Sequence, residues 1–162
     1  MAGTKMTSDL IEITGYNPAY RQAFHDMNIA WLEEYFTVEP AHRQMLENPE
    51  AELIAGGGEV FFAVQGGKVL GTVGVRNAGE GIYELTKLAV KPSAQGLGLG
   101  RWLCETVIDF FRNKNGKTLY LETHNKLKPA LRLYKDLNFV TVRNPGDSHY
   151  DGCDLYMEWQ GT

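Results

Sequence analysis

Alternating and helical spacings of apolar residues follow one another along this chain. IEIT, Ile11 to Thr14, alternates apolar and polar positions and predicts a first strand. From Pro18 to Tyr35 the spacing turns helical, with apolar side chains at Ala19, Ala23, Phe24, Met27, Ala30, Trp31 and Tyr35. Asn17 before Pro18 supplies an N-cap with proline in the first helical position. A short second helix is expected from about Glu39-Pro40 to Leu46, ended by NPE, and GGGE (Gly56 to Glu59) reads as a loop before a strand. EVFFAVQGGKVLGTVGVR predicts a hairpin that turns at Gly66-Gly67. NAGEG is the next turn, and IYELTKLAV the third long strand. A helix follows from about Gly98 to Asn115, with Leu99, Trp102, Leu103, Val107, Phe110 and Phe111 as its apolar face and Gly116 as its cap. TLYLETH is a strand, and about Lys128 to Leu137 a helix with Pro129 in its first turn. FVTVR and CDLYMEW are two late strands, joined by the polar loop NPGDSHYDG.

This order describes one α/β domain over residues 10–160, preceded by a loose tail over residues 1–9. The stretch from Ile82 to His124 is a βαβ unit, so its two strands run parallel with a right-handed crossover. The remaining strands are expected to pair antiparallel, giving a mixed sheet. The 162 residues carry 43% hydrophobic and 22% charged side chains, an ordinary globular balance. The net charge of −4 offers no broad basic surface, which argues against nucleic acid as the main partner. No apolar run approaches the roughly 20 residues that span a bilayer, and MAGTKMTSDL lacks the core of a signal peptide. These absences predict a cytoplasmic protein with no membrane partner. Cys104 and Cys153 are the only cysteines; Cys104 falls among helix-periodic apolar residues and reads as a buried hydrophobe. The spacings of cysteine and histidine predict no metal site.

The chemistry concentrates between Ala89 and Glu105, where three glycines at every second position separate a strand from a helix. Glycines placed there let main-chain N–H groups converge on an anion, and the helix dipole adds positive potential. Gly96, Gly98 and Gly100 do not spell a dinucleotide fingerprint, and the GK[ST] of a P-loop is absent. The spacing alone leaves open a tight turn for close helix packing. The wider stretch LAVKPSAQGLGLGRWL resembles the acyl-CoA-binding motif of the GNAT superfamily of N-acetyltransferases, a strand ending near V-x-P followed by Q/R-x-x-G-x-G/A. Gln95, Gly98 and Gly100 occupy its fixed positions. Downstream, ALRLYKDLNFV looks like the family's A-x-x-L-Y-x-x-x-G-F signature, with Ala130, Tyr134 and Phe139 in place. Asn138 stands where the family has glycine, and Asn tolerates the same left-handed turn.

The resemblance implies helices on both faces of a mostly antiparallel sheet whose central parallel strands splay apart. It implies acetyl-CoA as acyl donor. The main-chain N–H groups of Gly96, Leu97, Gly98, Leu99, Gly100 and Arg101 would hold its pyrophosphate, with Gln95 also in the cofactor site, and the main chain at Leu88, Ala89 and Val90 its pantetheine arm. The family's cofactor asparagine precedes the tyrosine by seven positions; here Leu127 stands there and Asn125 lies two residues earlier. The implied acceptor is a primary amine on a small molecule or a protein, and similar proteins are commonly homodimers.

Acetyl transfer to an amine requires a neutral nucleophile, a donor for the oxyanion and a proton for the leaving thiolate. The resemblance assigns that proton to Tyr134. Two carboxylates compete as base: Glu84 in YELTKLAV and Glu122 in TLYLETH, which shares a strand face with Tyr120 and His124. A charge inside an interior strand needs a partner or a wet pocket, so either Glu serves the acceptor amine or pairs structurally. His124 reads as structural or solvent-facing; Tyr35, Phe36 and Tyr150 are candidates to line an acceptor pocket. A non-catalytic acyl-CoA-binding module would retain the glycine loop without Tyr134 or a base. A purely structural α/β domain would need none of the three.

Overall fold

A computed structural model describes residues 10–146 and 153–161. The tail over 1–9, His149, Tyr150 and much of the polar loop before the last strand lie outside the described residues. Among the described residues seven strands form one sheet: β1 (Ile11–Thr14), β2 (Glu59–Gln65), β3 (Lys68–Gly79), β4 (Ile82–Val90), β5 (Thr118–Thr123), β6 (Phe139–Thr141) and β7 (Leu155–Trp159). Their spatial order is β1-β2-β3-β4-β5-β7-β6. β4 and β5 are parallel and the other neighbours antiparallel, as the βαβ pattern requires.

Among the described residues four α-helices accompany the sheet: α1 (Arg21–Tyr35), α2 (Pro40–Glu47), α3 (Leu99–Asn113) and α4 (Lys128–Asp136). They cover both faces, and the alternation of β2 shows how. Ala63 packs in the cluster beneath α3 and α4, with Phe61 against it. Val60, Phe62 and Val64 pack in the other cluster, with Phe24 and Leu32 of α1 and Met45 and Leu46 of α2. Burying sheet residues on two sides takes helices from both halves of the chain.

Several local expectations are revised. Asn17 does cap, accepting from the Ala19 N–H at 2.9 Å, but it caps a 3-10 turn (Pro18–Tyr20) that leads into α1. NPE ends α2, with Asn48 as its C-cap, but helical structure resumes at once: a π-helical turn, Glu50–Ile54, follows and buries Leu53. The predicted NAGEG turn is shorter, because β3 runs through Gly79 and only Glu80-Gly81 turn. Trp102 is 42% exposed. The buried stripe of α3 is Leu99, Leu103, Val107 and Phe111, flanked by Cys104 and Ile108, and Trp102 lies beside it. After α3 the left-handed residue is Asn115, at φ 55°. Gly116 serves instead for space, since a β-carbon there would fall 2.3 Å from the Phe111 ring.

Candidate active site

β4 and β5 pair only from Ile82 with Thr118 to Glu84 with Tyr120. Beyond that point β5 keeps its pairing to β7 while β4 continues alone on that side to Val90. A bulge accompanies the parting. The β3–β4 register steps from Gly74 opposite Thr86 to Thr72 opposite Ala89, with an extra residue on β4. Lys87 takes the strain at φ 58°, and such a bulge bends its strand away from a neighbour. Lys91 donates its N–H to the Leu70 carbonyl at 2.9 Å. Counting back by the alternation of a strand, Ala89 faces β3, and the main-chain groups of Leu88 and Val90 face the gap. The gap therefore has an unpaired strand edge along one wall.

At the open end of β4, a 3-10 turn (Pro92–Ala94) leads through Gln95 into the glycines. Gly96 and Gly98 have φ of 87° and 78°, which explains glycine at both. No side chain caps α3, and its first turn holds no acidic residue. The first main-chain bond of the helix runs from the Trp102 N–H to the Gly98 carbonyl. The N–H groups of Leu99, Gly100 and Arg101 thus precede any intrahelical acceptor. Nothing lies within 4 Å of a β-carbon built on Gly96 or Gly98. Leu97 is exposed, and Arg101 pairs with Glu105 at 3.6 Å. An uncapped helix start with open space above it fits a pyrophosphate.

The splayed strands open into a cleft of about 110 Å³, bounded by α1, α2, α4, β4 and β5. Trp31, Leu32 and Phe36 form its apolar side; Glu84, Lys87, Glu122, Tyr134 and Cys153 bring polar groups to it. Tyr134 projects from α4, packed edge-on against Phe139 with ring centres 6.0 Å apart. Its hydroxyl makes no hydrogen bond among the described residues, and burial pushes its pKa well above the ordinary value. A phenol so placed keeps its proton and can donate it.

Glu84 is 1% exposed. Its Oε1 receives the Arg76 Nε at 2.9 Å, while Arg76 Nη2 donates to the Tyr120 hydroxyl at 2.8 Å. That ion pair spans β3, β4 and β5 at the last paired register of the parallel strands. Glu122 is half-buried at the cleft wall, opposite Tyr156 on β7. His124 also reaches the cleft, but its Nδ1 accepts the Lys126 N–H at 2.9 Å and its Nε2 lies 3.7 Å from Asp154. These contacts fit the structural reading of that residue. Asn125 is exposed and outside the cleft lining; its side chain accepts from Lys128 at 3.0 Å. Phe36 lines the cleft, whereas Tyr35 does not and lines a separate surface pocket with Glu34 and Lys126.

Three polar residues at the cleft carry no motif in the sequence: Lys87, His42 and Glu39. Lys87 Nζ donates to His42 Nδ1 at 3.1 Å, and His42 Nε2 lies 3.5 Å from Glu39. Burial lowers the Lys87 pKa to about 8, against the pull of Glu84. Burial, then the Lys87 charge, lowers that of His42 to about 4. The one signal for Lys87 in the sequence is a second charge, beside Glu84, inside an interior strand; His42 and Glu39 are brought to it by tertiary packing alone.

Comparison with known proteins agrees with this geometry. The family model described as "Acetyltransferase (GNAT) family" matches residues 21–139. An uncharacterised N-acetyltransferase of Schizosaccharomyces pombe is 37% identical over 77 residues, covering 47% of each chain. The chain spans about half, or less, of the length of the first curated relatives it matches. A GNAT-family acetyltransferase structure from Staphylococcus aureus superposes with a TM-score of 0.84 at 20% identity, covering 93% of this chain and 98% of that one. A putative acetyltransferase from Salmonella typhimurium, solved with its cofactor acetyl-CoA, gives a TM-score of 0.72 at 23% identity over 94% of both. The open glycine loop, the splayed strands and the match over most of the chain lead to one conclusion: this chain belongs to the GNAT family of acetyltransferases.

Proposed function

We propose that the protein transfers the acetyl group of acetyl-CoA to a primary amine by direct attack within a ternary complex. The observation that carries this reading is the continuity of three features. The uncapped start of α3 leads into an unpaired β4 edge, and that edge leads into a cleft holding Tyr134. Main-chain N–H groups from Gly96 to Arg101 receive the pyrophosphate, with Gln95 beside them. Leu88 and Val90 present main-chain groups to the pantetheine arm, and Ala89 between them anchors the edge to β3. Asn125 is left at the rim, tied to Lys128.

The acceptor amine enters from the side of Trp31 and Phe36. It must lose a proton to attack. Glu84 is buried in an ion pair with Arg76, which holds the strands at their point of parting. Glu122, the half-buried carboxylate on the cleft wall, takes the proton, directly or through water. Tyr134 protonates the departing sulfur. The acceptor class is a small amine, an amino acid, or a protein lysine or N-terminus. The two cysteines are free, which suits a reducing compartment such as the cytoplasm.

Calorimetry with acetyl-CoA, followed by CoA release with a panel of amines, tests the reading. Binding with turnover of at least one amine supports it. Binding without turnover of any amine leaves an acyl-CoA-binding module, and no binding removes the donor assignment.

A further inference from the structure

The cleft contains a nucleophile that the transfer just described does not use. Lys87 sits at the β4 bulge in left-handed backbone, at φ 58°, a conformation strained for a residue with a β-carbon. Strain of that kind persists where the surroundings over-determine it. The side chain lies along the cleft, and its Nζ meets His42 Nδ1 at 3.1 Å. Titratable groups face it from every side: Glu84 on its own strand, His42 on α2, Glu39 just before α2, Glu122 across the gap on β5, and Cys153 before β7. Cys153 interacts with both Lys87 and Tyr134, so amine and phenol share one region of the cleft.

We propose that Lys87 is an acyl acceptor in its own right: with acetyl-CoA in the gap and no amine in the cleft, its Nζ attacks the thioester and becomes Nε-acetyl-lysine. The proposal rests on the donor reading above. The C–N bond forms as the C–S bond breaks, and the bonding pair leaves with sulfur, which takes the Tyr134 proton. The proton shed by Nζ passes by way of His42 Nδ1 and water back to Tyr134. One amine and one thioester give one amide and one thiol, with no oxidant or reductant.

The chemistry of the neighbours favours Lys87 over the other nucleophiles present. With a pKa of about 8, roughly a tenth of Lys87 is neutral amine at pH 7. An ordinary lysine is neutral in fewer than about one molecule in a thousand. His42, held neutral, can accept from Nζ and leave the nitrogen lone pair to another direction. Burial pushes the Cys153 thiol up to about 12, so it offers little thiolate. The acetylated side chain would be uncharged and would fill the acceptor side of the cleft, so the modification brakes the enzyme when acceptor is scarce.

The test incubates the whole protein with acetyl-CoA alone and follows intact mass and a peptide map, with calorimetry run in parallel. The expected result is a single acetyl group on Lys87. Its rate should rise roughly tenfold per pH unit up to about pH 8 and then level. An amine that turns over should slow it by occupying the cleft. Lys87→Arg, confirmed as folded by melting, should gain no acetyl group in the cleft; the map of the unaltered protein decides the matter should that variant fail to fold. Acetyl-CoA binding with Lys87 unmodified overturns the proposal. So does label confined to exposed lysines such as Lys68, Lys91 and Lys114. Absence of acetyl-CoA binding overturns the donor reading and this proposal together, and the calorimetry separates that failure from the others.

Discussion

Gly98 and Gly67 form a matched pair that isolates the role of the glycine loop. Their φ angles are 78° and 79°, and nothing lies within 4 Å of a β-carbon built on either. One opens α3; the other turns the β2–β3 hairpin. Replacing either by alanine imposes the same left-handed strain, about 1–2 kcal/mol, with no clash inside the protein. For a chain of this size that lowers Tm by roughly 2–8 °C in both variants. Alanine is a poorer N-cap than glycine, which adds roughly 0.5–1 kcal/mol at Gly98. The two variants should therefore melt within a few degrees of each other and bind differently. A methyl group at Gly98 enters the space above the N–H groups of Leu99, Gly100 and Arg101, where the donor's pyrophosphate is expected. We expect Gly98→Ala to raise the acetyl-CoA Kd at least tenfold, about 1.4 kcal/mol, and Gly67→Ala to leave it within about twofold, within roughly 0.4 kcal/mol. Thermal melting and calorimetry at one temperature measure both quantities. Equal affinity in a folded Gly98→Ala refutes the pyrophosphate assignment. Equal weakening in both variants would mean that general destabilisation, rather than the cradle, governs binding.

Other perturbations test the rest of the site. Tyr134→Phe keeps the ring against Phe139 and removes the proton, so kcat should fall roughly 10²-fold while acetyl-CoA affinity stays within about threefold; full activity in the folded variant removes Tyr134 from the mechanism. Glu122→Gln should lower turnover with a loss that shrinks at high pH, where free amine is abundant, and Glu84→Gln should act mainly on stability; the reverse pattern would reassign the base. Arg76→Met leaves Glu84 buried without its guanidinium, at about 3–5 kcal/mol, so Tm should drop by roughly 6–20 °C, and a shift below about 3 °C contradicts the ion pair's structural weight. His42, whose pKa falls from 6.5 to about 4 on folding, binds fewer protons folded than unfolded between those values. Its contribution to stability is present above pH 6.5 and is lost as pH falls toward 4, so chemical denaturation of His42→Gln should show a shallower decline across that window than the unaltered protein.

What could be read in the sequence, and what could not, divides along one physical line. Features carried by local spacing were legible. The βαβ unit, the hairpin at Gly66-Gly67 and the glycine loop each depend on residues close in the chain, and each is present. Tyr134 was reachable for the same reason, since its motif is continuous, and helical spacing from Leu131 to Tyr134 brings both into the core. The register of the sheet was less legible. Nothing in YELTKLAV marks a bulge, because the residue that takes positive φ is lysine and no glycine or asparagine announces the turn. A strict alternation through that strand would misassign the residues beyond it, and with them the groups that face the gap. The polar cluster depends on that bulge. Lys87 meets His42 across 45 positions, and Arg76 meets Tyr120 across 44. Charges paired over such distances leave no period in the sequence. Glu84 illustrates the consequence: from the chain alone it competes with Glu122 as base, because a charge inside an interior strand demands an explanation. The fold supplies that explanation as Arg76, and the demand passes to Lys87, whose strained backbone and neutral histidine partner no local pattern encodes.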